Sequence, residues 1–179
     1  MADRDDQGQV LVFTGNGKGK TTAALGTALR AAGYGYRVLI IQFIKGTWHS
    51  GEIDALERLP QIQLIRSGAG FYKMGGDDLP ESVHRDAAAE GLAKARRAML
   101  AGRHEVIILD EVNNAVKTGL IALDDLLFLL DDRPAGVDLI LTGRDAAPEV
   151  VQRAHLVTEM REIKHPFQQG VTARKGLDF

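Results

Sequence analysis

Thr14-Gly15-Asn16-Gly17-Lys18-Gly19-Lys20-Thr21-Thr22 stands between an apolar run, Gln9-Val10-Leu11-Val12-Phe13, and a stretch of helical periodicity, Ala23-Ala24-Leu25-Gly26-Thr27-Ala28-Leu29. Strand, glycine-rich turn and helix in that order are the setting of a phosphate-binding loop. Glycines 15, 17 and 19 let the backbone turn tightly and present N–H groups to an anion, and the positive end of the following helix adds to the field. On this reading Gly15, Asn16, Gly17, Lys18, Gly19, Lys20, Thr21 and Thr22 form a nucleotide-phosphate cradle. Lys20 carries the point charge, and the Thr21 hydroxyl is placed to ligate Mg²⁺ (or Mn²⁺). One detail departs from the ordinary pattern. Counting back from Gly19-Lys20-Thr21, the slot for the first glycine holds Thr14, so the loop is one residue short.

Outward from this segment, apolar β-branched runs alternate with helical stretches, which predicts an α/β fold: a mainly parallel sheet of about six strands flanked by helices. Strands are expected at 10–13, 37–43, 61–66, 105–109, 137–141 and 156–160, with both faces buried. Helices are expected at 20–32, 53–59, 82–100, 123–130 and 148–153. The stretch 163–179 reads as a strand plus a tail over the sheet edge. At 179 residues the chain is expected to be one domain, with residues 1–8 a flexible N-terminus. Connections 44–52 and 67–81 are long for a compact α/β domain and leave from carboxyl ends of strands, where open parallel sheets bind ligands.

Composition removes several function classes. A net charge of −2 without a basic block gives no reason to expect a nucleic-acid partner, and 6% aromatics are too few for a base-stacking platform. The chain has no cysteine, which excludes disulfides, thiolate metal sites and cysteine nucleophiles. The polar, acidic start Met1-Ala2-Asp3-Arg4-Asp5-Asp6 is the reverse of a signal peptide, and no apolar run is long enough to span a membrane. A soluble, cytoplasmic protein is expected. The five histidines lack metal-ligand spacing, so a zinc site is not expected.

Val106-Ile107-Ile108-Leu109-Asp110-Glu111 is a buried strand delivering two carboxylates at its end. In phosphate-loop proteins an acid here holds the divalent cation, which makes Asp110 and Glu111 candidate metal ligands beside Thr21. Adjacent strand residues point to opposite faces, so the two carboxylates cannot do identical work while the strand stays regular. A further strand ends in Leu141-Thr142-Gly143-Arg144, whose guanidinium could fork onto phosphate oxygens. Trp48, the chain's one tryptophan, lies in the polar loop Ile44-Lys45-Gly46-Thr47-Trp48-His49-Ser50-Gly51-Glu52, which suggests a ligand or subunit contact. Loop 67–81 carries Gly68, Gly70, Phe71, Tyr72, Gly75 and Gly76 and reads as a mobile flap with aromatic tips.

The short loop, Phe43-Ile44-Lys45-Gly46-Thr47-Trp48, Leu109-Asp110-Glu111-Val112-Asn113, Leu141-Thr142-Gly143-Arg144 and Lys164-His165-Pro166-Phe167, taken together, resemble the phosphate-loop class of ATP:cob(I)alamin (corrinoid) adenosyltransferases of bacterial cobalamin synthesis. The resemblance runs from about Gln9 to Phe179. It implies a RecA-like P-loop NTPase fold, a homodimer, and ATP, Mg²⁺ and a corrinoid in the site. It also implies the reaction: Co(I) attacks the ribose 5′ carbon and tripolyphosphate leaves in one piece. ATP would lie reversed relative to ordinary phosphate-loop ATPases, and a flavin-dependent reductant for Co(II) is an expected partner.

By the same resemblance, Lys20 and Phe71 are catalytic, Phe71 as the flap ring on the corrinoid's lower face. The flap departs from the family pattern Gly-x-Gly-Phe-Thr-Trp: Gly68-Ala69-Gly70-Phe71-Tyr72-Lys73 puts lysine where tryptophan is expected, and Tyr72 is the candidate second ring. The nine residues ahead of the first strand are too few for the segment with which some relatives cover the corrinoid. A phosphate-loop ATPase or kinase acting on another small molecule, and an ATP-dependent corrinoid-binding module with little turnover, remain alternatives at this point.

Overall fold

A computed structural model of the chain describes residues 7–44, 49–70, 72 and 78–178. Six strands form one parallel sheet: β1 (Val10–Thr14), β2 (Val38–Gln42), β3 (Ile62–Arg66), β4 (Val106–Asp110), β5 (Asp138–Thr142) and β6 (Leu156–Glu159), in the order β3-β2-β4-β5-β1-β6. The helices are α1 (Lys20–Gly33), α2 (Gly51–Leu56), α3 (Glu81–Leu100), α4 (Val112–Lys117), α5 (Leu123–Asp131) and α6 (Pro148–Arg153).

β2 and β4, Val-Leu-Ile-Ile-Gln and Val-Ile-Ile-Leu-Asp, are buried along their whole length, as runs without alternation require when helices cover both faces. Val38, Ile40, Val106, Ile108 and Ile140 pack with the alanines of α1, while Leu39, Ile41, Ile107, Leu109 and Leu141 pack with α3, α4 and α5 on the other side. Small alanines at 24, 28, 31 and 32 bring α1 close to the sheet. That closeness holds the first turn of α1 against the carboxyl end of β4. β5 lies between β1 and β4, so the loop strand and the acid strand are next-but-one neighbours.

The structure corrects three expectations and adds one helix, α4, that the sequence reading did not include. β6 is an edge strand exposed throughout, with Leu156 and Val157 about two-fifths exposed, and β3 at the opposite edge is buried only at Ile62, so neither is buried on both faces. α4 follows Glu111 without the polar cap that would have announced it: Glu111 takes a left-handed φ of 65° and makes no side-chain capping bond. α2 begins at Gly51 and ends at Leu56, because the chain turns there toward β3. Within 163–178 there is no strand. Pro166, which has no N–H to donate, opens a single 3₁₀ turn (Pro166–Gln169) closed by left-handed Gly170 at φ 75°, and such a segment cannot pair with the sheet edge.

Candidate active site

The loop between β1 and α1 is held by its own lysine. Lys20, only 8% exposed, donates from Nζ to the carbonyls of Gly15 (2.8 Å) and Gly17 (2.7 Å). Burial pulls its ammonium below the ordinary lysine range; the Glu111 carboxylate pushes it back up, and the Arg144 guanidinium adds to the lowering. Both charged groups therefore stand near the loop.

The glycines have a second reason to be glycines. A Cβ on Gly15 (φ 91°) would come within 2.5 Å of the Met160 carbonyl oxygen, and one on Gly17 within 2.8 Å of it. The Gly17 N–H donates to that same carbonyl at 2.7 Å. The chain leaving β6 thus crosses the loop and takes up an amide that the sequence reading had turned toward the anion.

Asp110, 1% exposed, is the hub of the site. Its Oδ1 accepts from the Thr21 hydroxyl (2.8 Å) and the Thr142 hydroxyl (2.7 Å), and its Oδ2 accepts from the Gln42 amide (3.1 Å). The Thr142 oxygen in turn accepts from the Glu111 backbone N–H at 2.8 Å. That bond anchors the residue that turns left-handed, and strand alternation stops there. Asp110 and Glu111 are thereby separated in role: Asp110 joins Thr21, while the charge of Glu111 is felt at Lys20. Arg144 is exposed, and its backbone N–H donates to Asn114 Oδ1 at 2.5 Å. The turn before it needs Gly143 (φ 128°), where a Cβ would meet Asn114 Oδ1 at 2.8 Å.

Lys20, Thr21, Asp110, Glu111 and Arg144 are therefore brought together at the carboxyl end of the sheet. The remaining loop side chains are not turned to this cluster. Lys18 pairs with Asp178 of the C-terminal tail at 2.8 Å, Asn16 lines a cavity of about 350 Å³ with Glu159, Arg161 and Glu162, and Thr22 is exposed. A larger cavity, about 560 Å³, opens between Lys18 and the tail and is lined by His165, Phe167, Val171 and Leu177 among others. Trp48 and Phe71 lie outside the described residues. Tyr72 is described, and it is not a free second ring. Its hydroxyl donates to Glu81 Oε2 at 2.6 Å and its ring packs 5.1 Å from that of His84, so Tyr72 is tied to the start of α3.

Sequence reasoning missed Gln42, Met160 and Asp178, and quoted Thr142 without giving it a role. Gln42 left a signal, being a polar residue closing an otherwise apolar run. The others depend on contacts between segments far apart in the chain. No cluster of three or more His, Cys, Asp or Glu side chains is present among the described residues. Mg²⁺ does not require one: it keeps waters and substrate phosphates and takes one or two protein oxygens. The hard hydroxyl and carboxylate oxygens of Thr21 and Asp110, already in contact, fit that donor set.

A phosphate loop on a six-stranded parallel sheet, with a buried acid reaching the loop threonine, defines a nucleotide-binding protein of the RecA-like phosphate-loop class. Two solved structures share this fold: a KaiC-like protein from Pyrococcus horikoshii (TM-score 0.57, 20% identity, 88% of this chain and 75% of that one) and the flagellar accessory protein FlaH from Methanocaldococcus jannaschii (TM-score 0.58, 16% identity, 89% and 78%). At these identities the likeness is one of fold. The family model described as ATP:corrinoid adenosyltransferase BtuR/CobO/CobP matches residues 6–179. Among curated relatives, the corrinoid adenosyltransferase of Escherichia coli K12 is 37% identical over 98% of this chain and 88% of its own length, and that of Pseudomonas aeruginosa 38% identical over 98% and 86%. The chain belongs to the ATP:corrinoid adenosyltransferase family.

Proposed function

We propose that the protein transfers the 5′-deoxyadenosyl group of ATP to the Co(I) centre of a corrinoid and releases tripolyphosphate. The electron pair of Co(I) forms the cobalt–carbon bond, the C5′–O bond breaks, and its electrons leave on the tripolyphosphate oxygen. The observation that carries this reading is the buried Asp110 joined to Thr21 at the mouth of a phosphate loop, in a chain of this family. Such a reaction asks the protein for positioning and for charge opposite the leaving group, with no side-chain nucleophile.

In this reading Lys20 and Arg144 face the departing phosphates. The loop residues Gly15, Asn16, Gly17, Lys18, Gly19, Thr21 and Thr22 form the cradle, with Lys18 able to turn inward only by leaving Asp178. Glu111, held left-handed beside the loop, orients the nucleotide. Thr21 and Asp110, with Glu111 nearby, would hold Mg²⁺ or Mn²⁺, which supplies positive charge opposite the leaving phosphates when bound. Phe71 against the corrinoid rests on the sequence resemblance, and Trp48 at a ligand on its place in the polar loop 44–52. The homodimer and the flavin-dependent reductant rest on that resemblance too, whereas the single-domain organisation rests on the length of the chain and the cytoplasmic location on its composition. Anaerobic incubation with ATP, Mg²⁺ and chemically reduced cob(I)alamin should yield the light-sensitive adenosylated product, followed optically. Corrinoid binding without that product would overturn the proposal.

A further inference from the structure

The carboxyl ends of β2, β4 and β5 carry three polar side chains in one transverse row. Gln42 is in register with Asp110, and Leu109 with Leu141, which sets Asp110 beside Thr142. All three are at most 1% exposed and follow directly on buried apolar residues of their strands. Thr142 can be accounted for by its two bonds, to Asp110 and from Glu111. Gln42 cannot. Its Nε2 donates to Asp110 Oδ2, but its Oε1 is buried without a hydrogen-bond partner among the described residues. An ionised carboxylate only accepts, so the amide must present nitrogen to Asp110 and hold its oxygen the other way. A buried carbonyl oxygen left unpaired is costly, and the apolar neighbours Ile40 and Ile41 show that this strand end had an inexpensive alternative.

We propose that Gln42 is a positioning residue for the divalent cation. Its amide nitrogen fixes the rotation of the Asp110 carboxylate, and its amide oxygen receives an O–H donor that arrives with the metal–nucleotide complex, namely a water on the cation. Mg²⁺ retains most of its waters, and such waters are strongly polarised donors that need acceptors of this kind. The inference rests on the reading above that Asp110 and Thr21 hold the cation.

The test is calorimetric titration of the full-length protein with tripolyphosphate, with and without Mn²⁺, and with Mn²⁺–ATP. In the wild type Mn²⁺ should tighten tripolyphosphate binding. Gln42→Leu should shrink that metal-dependent gain by roughly 10- to 100-fold, the usual loss when a residue supporting a metal ligand is removed. Metal-free tripolyphosphate affinity should change by less than about threefold, and the loss should be equal for Mn²⁺–ATP. A purely structural glutamine would lower the stability of the ligand-free protein and leave the metal-dependent gain intact, which overturns the proposal. A loss confined to Mn²⁺–ATP would place the donor on the ribose and also overturn it. If Gln42→Leu does not fold, the near-isosteric Gln42→Met decides: it lacks both the donor to Asp110 and the acceptor for the water, so the metal-dependent gain should shrink to the same degree, and an unchanged gain contradicts the assignment. Absence of any gain in the wild type would instead refute the metal role of Asp110 itself.

Discussion

At the scale of single residues, the site is a set of polar and charged groups whose orientation is held by burial and hydrogen bonding. Lys20 is the clearest case. Its pKa in the folded protein lies below its unfolded value, so the unfolded chain binds more protons in the interval between them, and stability contributed at this position rises with pH across it. Wild type should therefore gain stability relative to Lys20→Met as pH is raised from neutral toward the ordinary lysine value, measured by urea unfolding; a constant difference would contradict the burial argument. Lys20→Ala should abolish ATP-dependent turnover while the circular dichroism spectrum is retained. Thr142→Val keeps the shape of the side chain but removes a donor to Asp110 and the acceptor of the Glu111 N–H. Stranding those buried groups should cost about 1–3 kcal/mol in urea unfolding. A variant as stable as wild type would show that the row is not a stabilising contact.

At the scale of elements, two segments far from the loop in sequence shape it. The chain after β6 lies so close that Gly17 cannot carry a Cβ, whereas nothing lies within 4 Å of a Cβ on Gly26 in α1. Gly26→Ala should stabilise the protein by roughly 0.5–1 kcal/mol through helix propensity, and Gly17→Ala should destabilise it and weaken ATP binding. Equal effects on melting temperature would remove the Met160 contact from the account. The flap makes a parallel case. Tyr72 is tied to Glu81 and His84, so Tyr72→Ala should impair reaction from Co(II) and from pre-reduced Co(I) alike. Phe71→Ala should impair the Co(II) reaction more, in side-by-side anaerobic assays. The opposite order would exchange their roles.

At the scale of the whole molecule, what could be read in advance was local. β1, the glycine loop and α1 follow from consecutive residues, and β4 declares itself by an apolar run ending in two acids. The hub at Asp110 was half legible: the acid could be named, but Gln42 and Thr142 reach it only through strand register across 68 and 32 residues of chain. α4 stayed hidden because a left-handed glutamate replaces the polar cap that marks helix starts. The exposure of β6 escaped too, since its apolar residues resemble those of a central strand and only sheet order makes it an edge. The loop missing one residue remains the sequence feature most telling for the chemistry, and the Met160 carbonyl bound to Gly17 shows how the fold closes it. The claim that joins these scales is that this loop holds a leaving tripolyphosphate. Phosphorus NMR of the products after anaerobic turnover with cob(I)alamin tests it directly. One tripolyphosphate for each cobalt–carbon bond is the expected result, and ADP with orthophosphate in its place would contradict the account.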